Sequence, residues 1–410
     1  MTAAARQSPW TEIGEALLPE MTALRRDIHR EPELGLHTPL TTAKAKRALA
    51  GLPLEILEGS STTGFVAVLR GAQPGRTLLL RGDMDALPLQ EDVDLPFKSE
   101  IAGAMHACGH DTHVAMLVGA AKALSARRQE LAGTILFMFQ PGEEGWHGAR
   151  FMMDDGLLQP KPDAAFALHI SPNVQTGRFA GKAGALLASA DSFLITVHGK
   201  GGHAAQPHDA LDPMTIACEI VCAIQAMVTR RIPVFDPVVV TVTQIEGSRT
   251  NNVISDQVQL GGTMRSFSQG SRDLAQDGIR RVAAGLAAAH GATAEVEITT
   301  GFPLTICDER AVDLAMEQVT RLFGVDAWQT LVSPAMGSED FAYVLKDIPG
   351  AMVILGAAPS GSDWRQCHPV HSNRMEIDES AMAKGAALHC AIAEAFLRDG
   401  FGLPVPAGRT

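Results

Sequence analysis

Apolar residues recur at helical spacing over residues 8–30, and Glu31-Pro-Glu-Leu-Gly35 closes that amphipathic helix with two strong breakers. A second helix follows at about Thr41–Leu49, after which the period shortens. Phe65–Leu69 and Thr77–Arg81 are β-prone runs parted by the turn formers of Gly71-Ala-Gln-Pro-Gly75. The second run is almost all apolar, as expected of a strand buried on both faces. Met105–His113 leads into the apolar segment Val114–Leu124, which predicts a helix of about three turns. Thr134–Phe139 is a further apolar run, stopped by Gln140-Pro-Gly-Glu-Glu-Gly145; a helix begins near Ala149, and Ala164–Ile170 predicts a strand that ends around His169. Strands alternating with helices indicate an α/β fold with a mostly parallel sheet and helices on both faces. Ligands of such sheets bind at the carboxyl ends of strands, where Asp83, Asp85, Glu143, Glu144 and His169 all fall.

From about Ala188 the texture changes. Asp191–His198 alternates as a half-buried strand, Gly199–Asp209 is a loop rich in Gly and His, and Met214–Arg230 predicts a long helix with an apolar stripe. Strands at Val238–Ile245 and Val258–Met264, a helix over Arg272–His290 and a strand at Ala294–Thr300 complete the order of a ferredoxin-like α/β sandwich. We therefore expect an inserted domain over residues 188–300, between a first part at 1–187 and a second at 301–410. In that last part the α/β pattern resumes, with a helix from Asp308, a strand at Met352–Leu355, a loop bearing His368 and His371, and a closing helix from about Ser380 to Arg398.

Composition narrows the partners. The 410 residues are 46% hydrophobic and 20% charged, ordinary for a globular protein and enough for two domains. A formal net charge of −12, with no long Lys/Arg run, argues against nucleic acid or an anionic membrane and leaves a small-molecule substrate. Residues 1–20 lack the pattern of a signal peptide and no run reaches 18 uninterrupted apolar residues, so the expected location is cytoplasmic. The six cysteines have no regular spacing, which excludes a disulfide framework; Cys218, Cys222 and Cys390, in apolar helices, read as small core residues.

Candidate chemistry concentrates in Met-His-Ala-Cys-Gly-His-Asp-Thr-His at 105–113. Cys108 and His110, where a loop enters a helix, can both turn toward one cation. Glu143 and Glu144 follow a strand and a Pro-Gly turn; successive side chains diverge in extended or loop backbone, so one carboxylate can bind a metal while the other faces a water. A solvated acidic loop is the competing reading. His169, closing an apolar run, reads as a near-core residue or a ligand, and His368 and His371 as ligands or surface histidines. As a set, Cys108, His110, Glu144, His169 and His371 suit Zn²⁺ or a similar first-row ion, and five donors exceed one tetrahedral shell, which points to two metals sharing a bridging group, with Glu143 left over as a base. No G-x-S-x-G elbow, phosphate loop or dinucleotide fingerprint competes.

Taken in order, Arg81-Gly-Asp83-Met-Asp85-Ala-Leu-Pro88, His106-Ala-Cys108-Gly-His110-Asp111, Gln140-Pro-Gly-Glu143-Glu144-Gly, Leu168-His169, Gly201-Gly-His203-Ala, Gly337-Ser-Glu339-Asp340-Phe341 and His371 resemble the motif series of the M20 metallopeptidase family. The pattern is that of its amidohydrolase branch, which includes hippurate hydrolases, N-acyl-amino-acid amidohydrolases and auxin-conjugate hydrolases. The resemblance implies a catalytic domain interrupted by a lid or dimerisation domain, two divalent metal ions per chain (Zn, Mn, Co or Ni), and a homodimer or higher oligomer through the lid. It makes Cys108 the bridging thiolate, with His110, Glu144, His169 and His371 as the other metal ligands, Glu143 the general base, and Asp85 a residue that orients a ligand rather than binding metal. Many members carry a ligand His at the position of Asp83 and an Asp at that of Cys108; here His110 fills that gap. His203 is the implied oxyanion donor, and Asn252, beside Asn251, and Arg265 are candidates for the substrate carboxylate. The expected reaction is hydrolysis of an N-acetyl, N-benzoyl or similar amino acid to a carboxylic acid and a free amino acid. A dipeptidase or carboxypeptidase of the same family is the alternative, and a non-catalytic metal-binding protein the third.

Overall fold

The computed structural model describes residues 8–402. The chain divides into two compact units, one holding the described residues up to Leu186 with Ile306–Ser333 and those from Tyr343 onward, the other Leu187–Thr305 with Pro334–Ala342.

The first unit is built on a mixed eight-stranded sheet. In spatial order its strands are Leu54–Glu58, Phe65–Arg70, Ala132–Gln140, Gln73–Asp83, Ala164–Ser171, Gly350–Gly356, Phe179–Gly181 and Trp328–Thr330. The central strands from Ala132–Gln140 to Gly350–Gly356 run parallel. Antiparallel pairings flank them, of Leu54–Glu58 with Phe65–Arg70, of Phe65–Arg70 with Ala132–Gln140, and of Phe179–Gly181 with Gly350–Gly356. Burial explains the division: Leu78, Leu79 and Leu80 are fully buried, as parallel strands covered on both faces must be, whereas Leu54–Glu58 at the edge has no buried residue. Only Gly71 and Ala72 separate Phe65–Arg70 from Gln73–Asp83, yet Ala132–Gln140 lies between them in the sheet.

Helices Pro9–Arg30, His110–Ala126 and Ala381–Asp399 pack against one another. The second is 17 residues long, longer than its apolar run predicts, because it starts at His110, where the Gly109 carbonyl accepts from Thr112 and His113 N–H and Asp111 places a carboxylate in the first turn. It is apolar on nearly every side and buried from His110 through Ala121, the pattern of a core helix. Its first turn sits beside the carboxyl end of Gln73–Asp83, which brings the Met105–His113 motif to the strand ends.

The second unit has a four-stranded antiparallel sheet in the order Val238–Glu246, Gln257–Ser266, Ser189–His198, Thr293–Thr300. Helices Pro213–Arg231 and Gln269–Ala289 share one core with it. In chain order this is strand, helix, two strands, helix, strand, with a short pairing of Gly202–His203 and Val253–Ile254 beside it. Cys218 and Cys222 are exposed, contrary to the expectation that they are core residues. The stripe that faces the core is Ile216, Ala217, Ile220, Ile224 and Met227, and at ~100° per residue positions 218 and 222 fall on the opposite side. Cys390 is buried. By length and composition Pro213–Arg231 is, among the described residues, the one helix able to cross a membrane, but its apolar stripe is built into this core.

Candidate metal centre

Asp85, just past the strand that ends at Asp83, organises the centre from below. Its two carboxylate oxygens accept the backbone N–H groups of Glu143 and Glu144 at 2.9 and 3.0 Å, which fixes the turn that presents both glutamates. Its backbone carbonyl lies 2.8 Å from His110 Nδ1. A carbonyl only accepts, so Nδ1 donates to it and Nε2 is the nitrogen left facing the donor cluster. His169 is fixed in the same way, Nδ1 donating to the Ile170 carbonyl at 2.7 Å while Nε2 lies 3.3 Å from Cys108 Sγ.

Two backbone features help to assemble the donors, one between Cys108 and His110 and one at His371. Gly109 between them has φ 84°, in the left-handed region, and a Cβ there would lie 2.5 Å from Ile170 Cγ1, so only glycine fits. His371 comes from a distant loop whose backbone N–H donates to the Ala107 carbonyl at 2.7 Å. Its own φ is 67°, a conformation that costs a non-glycine residue roughly 1–3 kcal/mol and that concentrates at functional sites.

The donor atoms fall into overlapping groups, each within 4.8 Å. Cys108, His110 and His169 form one trio, Cys108, Glu144 and His371 another, and His110, Glu143 and Glu144 a third. Cys108 is common to the first two. Glu144 Oε1 lies 3.3 Å from His371 Nε2 and 4.0 Å from His110 Nε2.

The thiolate and carboxylate draw positive charge into the cluster. Burial alone would push the Cys108 thiol up, but the His169 and His110 imidazoles beside it bring it down to about 6. His169 is raised to about 9, its burial outweighed by the Cys108 thiolate. His371 is raised to about 10, chiefly by hydrogen bonding to Cys108 and Glu144. Burial opposes the charge on Glu144, yet His371 and His110 hold its carboxyl below the usual range. Most directly, His110 Nε2 is buried with no well-formed hydrogen bond, and Glu144 Oε1, also buried, has only the 3.3 Å ion pair with His371 Nε2. Buried polar atoms are left unpaired only at a cost, and a cation between these two removes it. Thiolate, imidazole and carboxylate are the donors that borderline-soft first-row ions take.

The remaining residues of the motif do other work. Asp111 is hydrogen-bonded to His29 Nδ1 and ion-paired with Arg25 Nε, both at 2.7 Å, and belongs to none of the donor groups; burial opposes its charge, but Arg25 and His29 hold it far below the usual carboxylate range. His106 is fully buried and, with both ring nitrogens unpartnered, is pushed down to about 3 by burial. The Arg81 Nη1–Asp83 Oδ2 pair at 2.5 Å and the bond of His113 to Asp83 escape sequence reasoning, for which the Arg-Gly-Asp run was the available signal.

In the second unit, His203 is exposed and pairs with Val253, while the carbonyl of Asn252, in the turn before Val253, accepts from Ala204 N–H at 3.1 Å, so the backbones of His203 and Asn252 are held beside each other. Arg265 lies elsewhere, in Gln257–Ser266, bonded to Thr263 Oγ1 and the Met264 carbonyl.

Comparison with known proteins places this geometry. Residues 79–395 match the family model described as peptidase family M20/M25/M40. The N-acetylcysteine deacetylase of Bacillus subtilis is 38% identical over 361 residues, 88% of this chain and 92% of that protein. Thermostable carboxypeptidase 1 of Saccharolobus solfataricus is 37% identical over 378 residues, 91% and 94% of the two chains. The crystal structure of the Bacillus subtilis YXEP protein, described as a dinuclear metal binding peptidase from the M20 family, superposes with a TM-score of 0.81 at 34% identity, covering 94% of this chain and 99% of that one. The chain belongs to peptidase family M20/M25/M40 and is one of its hydrolases.

Proposed function

We propose that this protein is a metal-dependent amidohydrolase that cleaves N-acyl amino acids to a carboxylic acid and a free amino acid. The observation that carries the reading is Cys108 at the junction of two donor trios, with Glu143 grouped against His110 and Glu144. Cys108, His110 and His169 would hold one divalent ion, and Cys108, Glu144 and His371 a second. Such ions lower the pKa of water and polarise a carbonyl.

The rest of the chemistry belongs to the chain's own residues. Glu143, held through its backbone by Asp85, takes the proton of the attacking water and later delivers it to the leaving amine nitrogen. His203 donates to the oxygen that becomes anionic, and Asn252 and Arg265 hold the substrate carboxylate, Arg265 by a bidentate guanidinium contact. Self-association runs through the second unit.

The N-acetylcysteine deacetylase, acting on an acyl amino acid by its name, favours this substrate class. The carboxypeptidase of similar identity favours a second reading, cleavage of a carboxy-terminal residue from a peptide. Parallel assays of benzoyl- and acetyl-amino acids, dipeptides with free amino termini, and blocked dipeptides separate the two. Preference for the single-residue acyl substrates supports the proposal; preference for blocked dipeptides supports the carboxypeptidase.

A further inference from the structure

His113 touches both strands that lead into the centre. It sits one turn after His110 on the same helix and is 2% exposed. Its Nε2 lies 2.9 Å from the backbone N–H of Ile170 and its Nδ1 2.5 Å from Asp83 Oδ1. A backbone N–H only donates, so Nε2 carries no proton, and the single proton of the neutral ring sits on Nδ1 and points at Asp83. Both nitrogens are thus engaged, which removes His113 as a metal ligand although it lies within reach of Asp83 and His110.

Its partners are the supports of one donor trio only. Ile170 follows His169; its N–H is held by His113, its carbonyl by His169 Nδ1, and the two imidazole rings meet edge-on with centroids 4.8 Å apart. Asp83 is held between His113 and Arg81 Nη1, and its Oδ2 stands 3.5 Å from His110 Nε2. Without His113 the strand end carrying His169 loses its anchor, and Asp83 gains freedom to swing onto His110 Nε2 in place of a metal. The other trio is fixed from elsewhere, Glu144 through Asp85 and His371 through the Ala107 carbonyl.

We propose that His113 is a positioning residue which, with Asp83 and Arg81, sets the affinity of the metal position formed by Cys108, His110 and His169 and leaves that of Cys108, Glu144 and His371 unaffected. The proposal rests on the two-ion reading above. Supporting hydrogen bonds behind metal ligands are typically worth ~10–100-fold in metal affinity.

The test is metal stoichiometry and affinity by chelator competition, together with the visible spectrum of the cobalt-loaded protein. His113→Ala is expected to bind one ion roughly 10–100-fold more weakly and to retain the other, so that a chelator concentration harmless to the wild type leaves one ion per chain and half of the cobalt spectrum. His113→Gln, whose amide oxygen reaches toward the place of Nε2, recovers part of that affinity; His113→Leu, of similar bulk but without an acceptor, does not. Equal affinities in the Gln and Leu variants, or weakening of both ions in equal measure, overturn the proposal, and these two variants decide it even if His113→Ala fails to fold. A wild-type chain that binds fewer than two ions overturns the two-ion reading together with this one, whereas two tightly bound ions in every variant overturn this one alone.

Discussion

Replacing Asp85 by Asn is the sharpest perturbation of the catalytic turn, because the two side chains have the same shape. Asp85 is 1% exposed, and each carboxylate oxygen accepts one backbone N–H, from Glu143 and Glu144. In the Asn variant one oxygen becomes an NH₂ group that faces a backbone N–H instead of accepting from it. The lost bond, to a charged acceptor, is worth about 1.5–3 kcal/mol, and the buried N–H left unpaired costs about 1–3 kcal/mol more. The 143–144 turn escapes the clash by moving, which transfers the cost from stability to the placement of the base and a metal ligand. At 1.36 kcal/mol per tenfold in rate, ~3 kcal/mol lost from the transition state lowers kcat about 10²-fold. The assay is steady-state hydrolysis of an N-acetyl amino acid by Asp85→Asn, with metal content and thermal unfolding followed in parallel. A kcat within a few-fold of wild type at unchanged metal content would refute the argument that these two bonds position the glutamates.

Other expectations follow from the same geometry. Glu143→Gln keeps its metal, since Glu143 is the base and not a ligand in this account, but loses ~10²–10⁴-fold in kcat; near-normal turnover of the metal-loaded variant would remove it from that role. Cys108→Ala, which takes the shared donor from both trios, should hold fewer than two ions per chain by elemental analysis, and full occupancy contradicts a bridging thiolate. Gly148→Ala places a Cβ 1.7 Å from the Pro141 carbonyl oxygen, so the Pro141–Gly148 loop must shift; we expect reduced activity and a destabilisation of ~1–3 kcal/mol in denaturant titration. In the second unit, Arg272 donates through Nε to Asp191 Oδ2 at 2.8 Å and through Nη2 to Oδ1, and both residues are buried. Burial opposes the Asp191 charge, but Arg272 holds its carboxyl below the usual range, so the pair contributes stability above the ordinary carboxylate pKa of ~3.9 and loses it as pH falls through the depressed value. Arg272→Leu strands the carboxylate and costs about 3–5 kcal/mol near neutral pH. Its Tm should then rise relative to wild type as acid neutralises Asp191, and a constant Tm difference from pH 7 to pH 4 contradicts this.

What the sequence makes legible depends on how local the cause is. Ala132–Gln140 and Ala164–Ser171 are readable because a strand buried on both faces must be apolar throughout, and the helix at Gln269–Ala289 because its apolar stripe has the right period. Leu54–Glu58, Phe179–Gly181 and Trp328–Thr330 are not readable: the first has no buried face to impose a period, and the other two are three residues long and pair with strands distant in sequence. The placement of Ala132–Gln140 between two strands almost adjacent in sequence is likewise a long-range choice that local period does not encode. Donor residues at strand ends stand out by their chemistry. The bonds that orient them do not, since His113 reaches Asp83 across 30 positions and Ile170 across 57. Cys218 and Cys222 show the opposite failure, where residue type suggests burial and helical phase decides against it.

The central claim is metal-dependent hydrolysis of N-acyl amino acids, and its most direct test is release of free amino acid from a panel of N-acetyl, N-benzoyl and larger N-acyl amino acids by the metal-loaded protein, beside dipeptides with free amino termini. The account predicts higher kcat/KM on the acyl amino acids, abolished by a chelator and restored by adding back a divalent first-row ion. Faster cleavage of the free dipeptides, or hydrolysis that survives complete removal of metal, would contradict it.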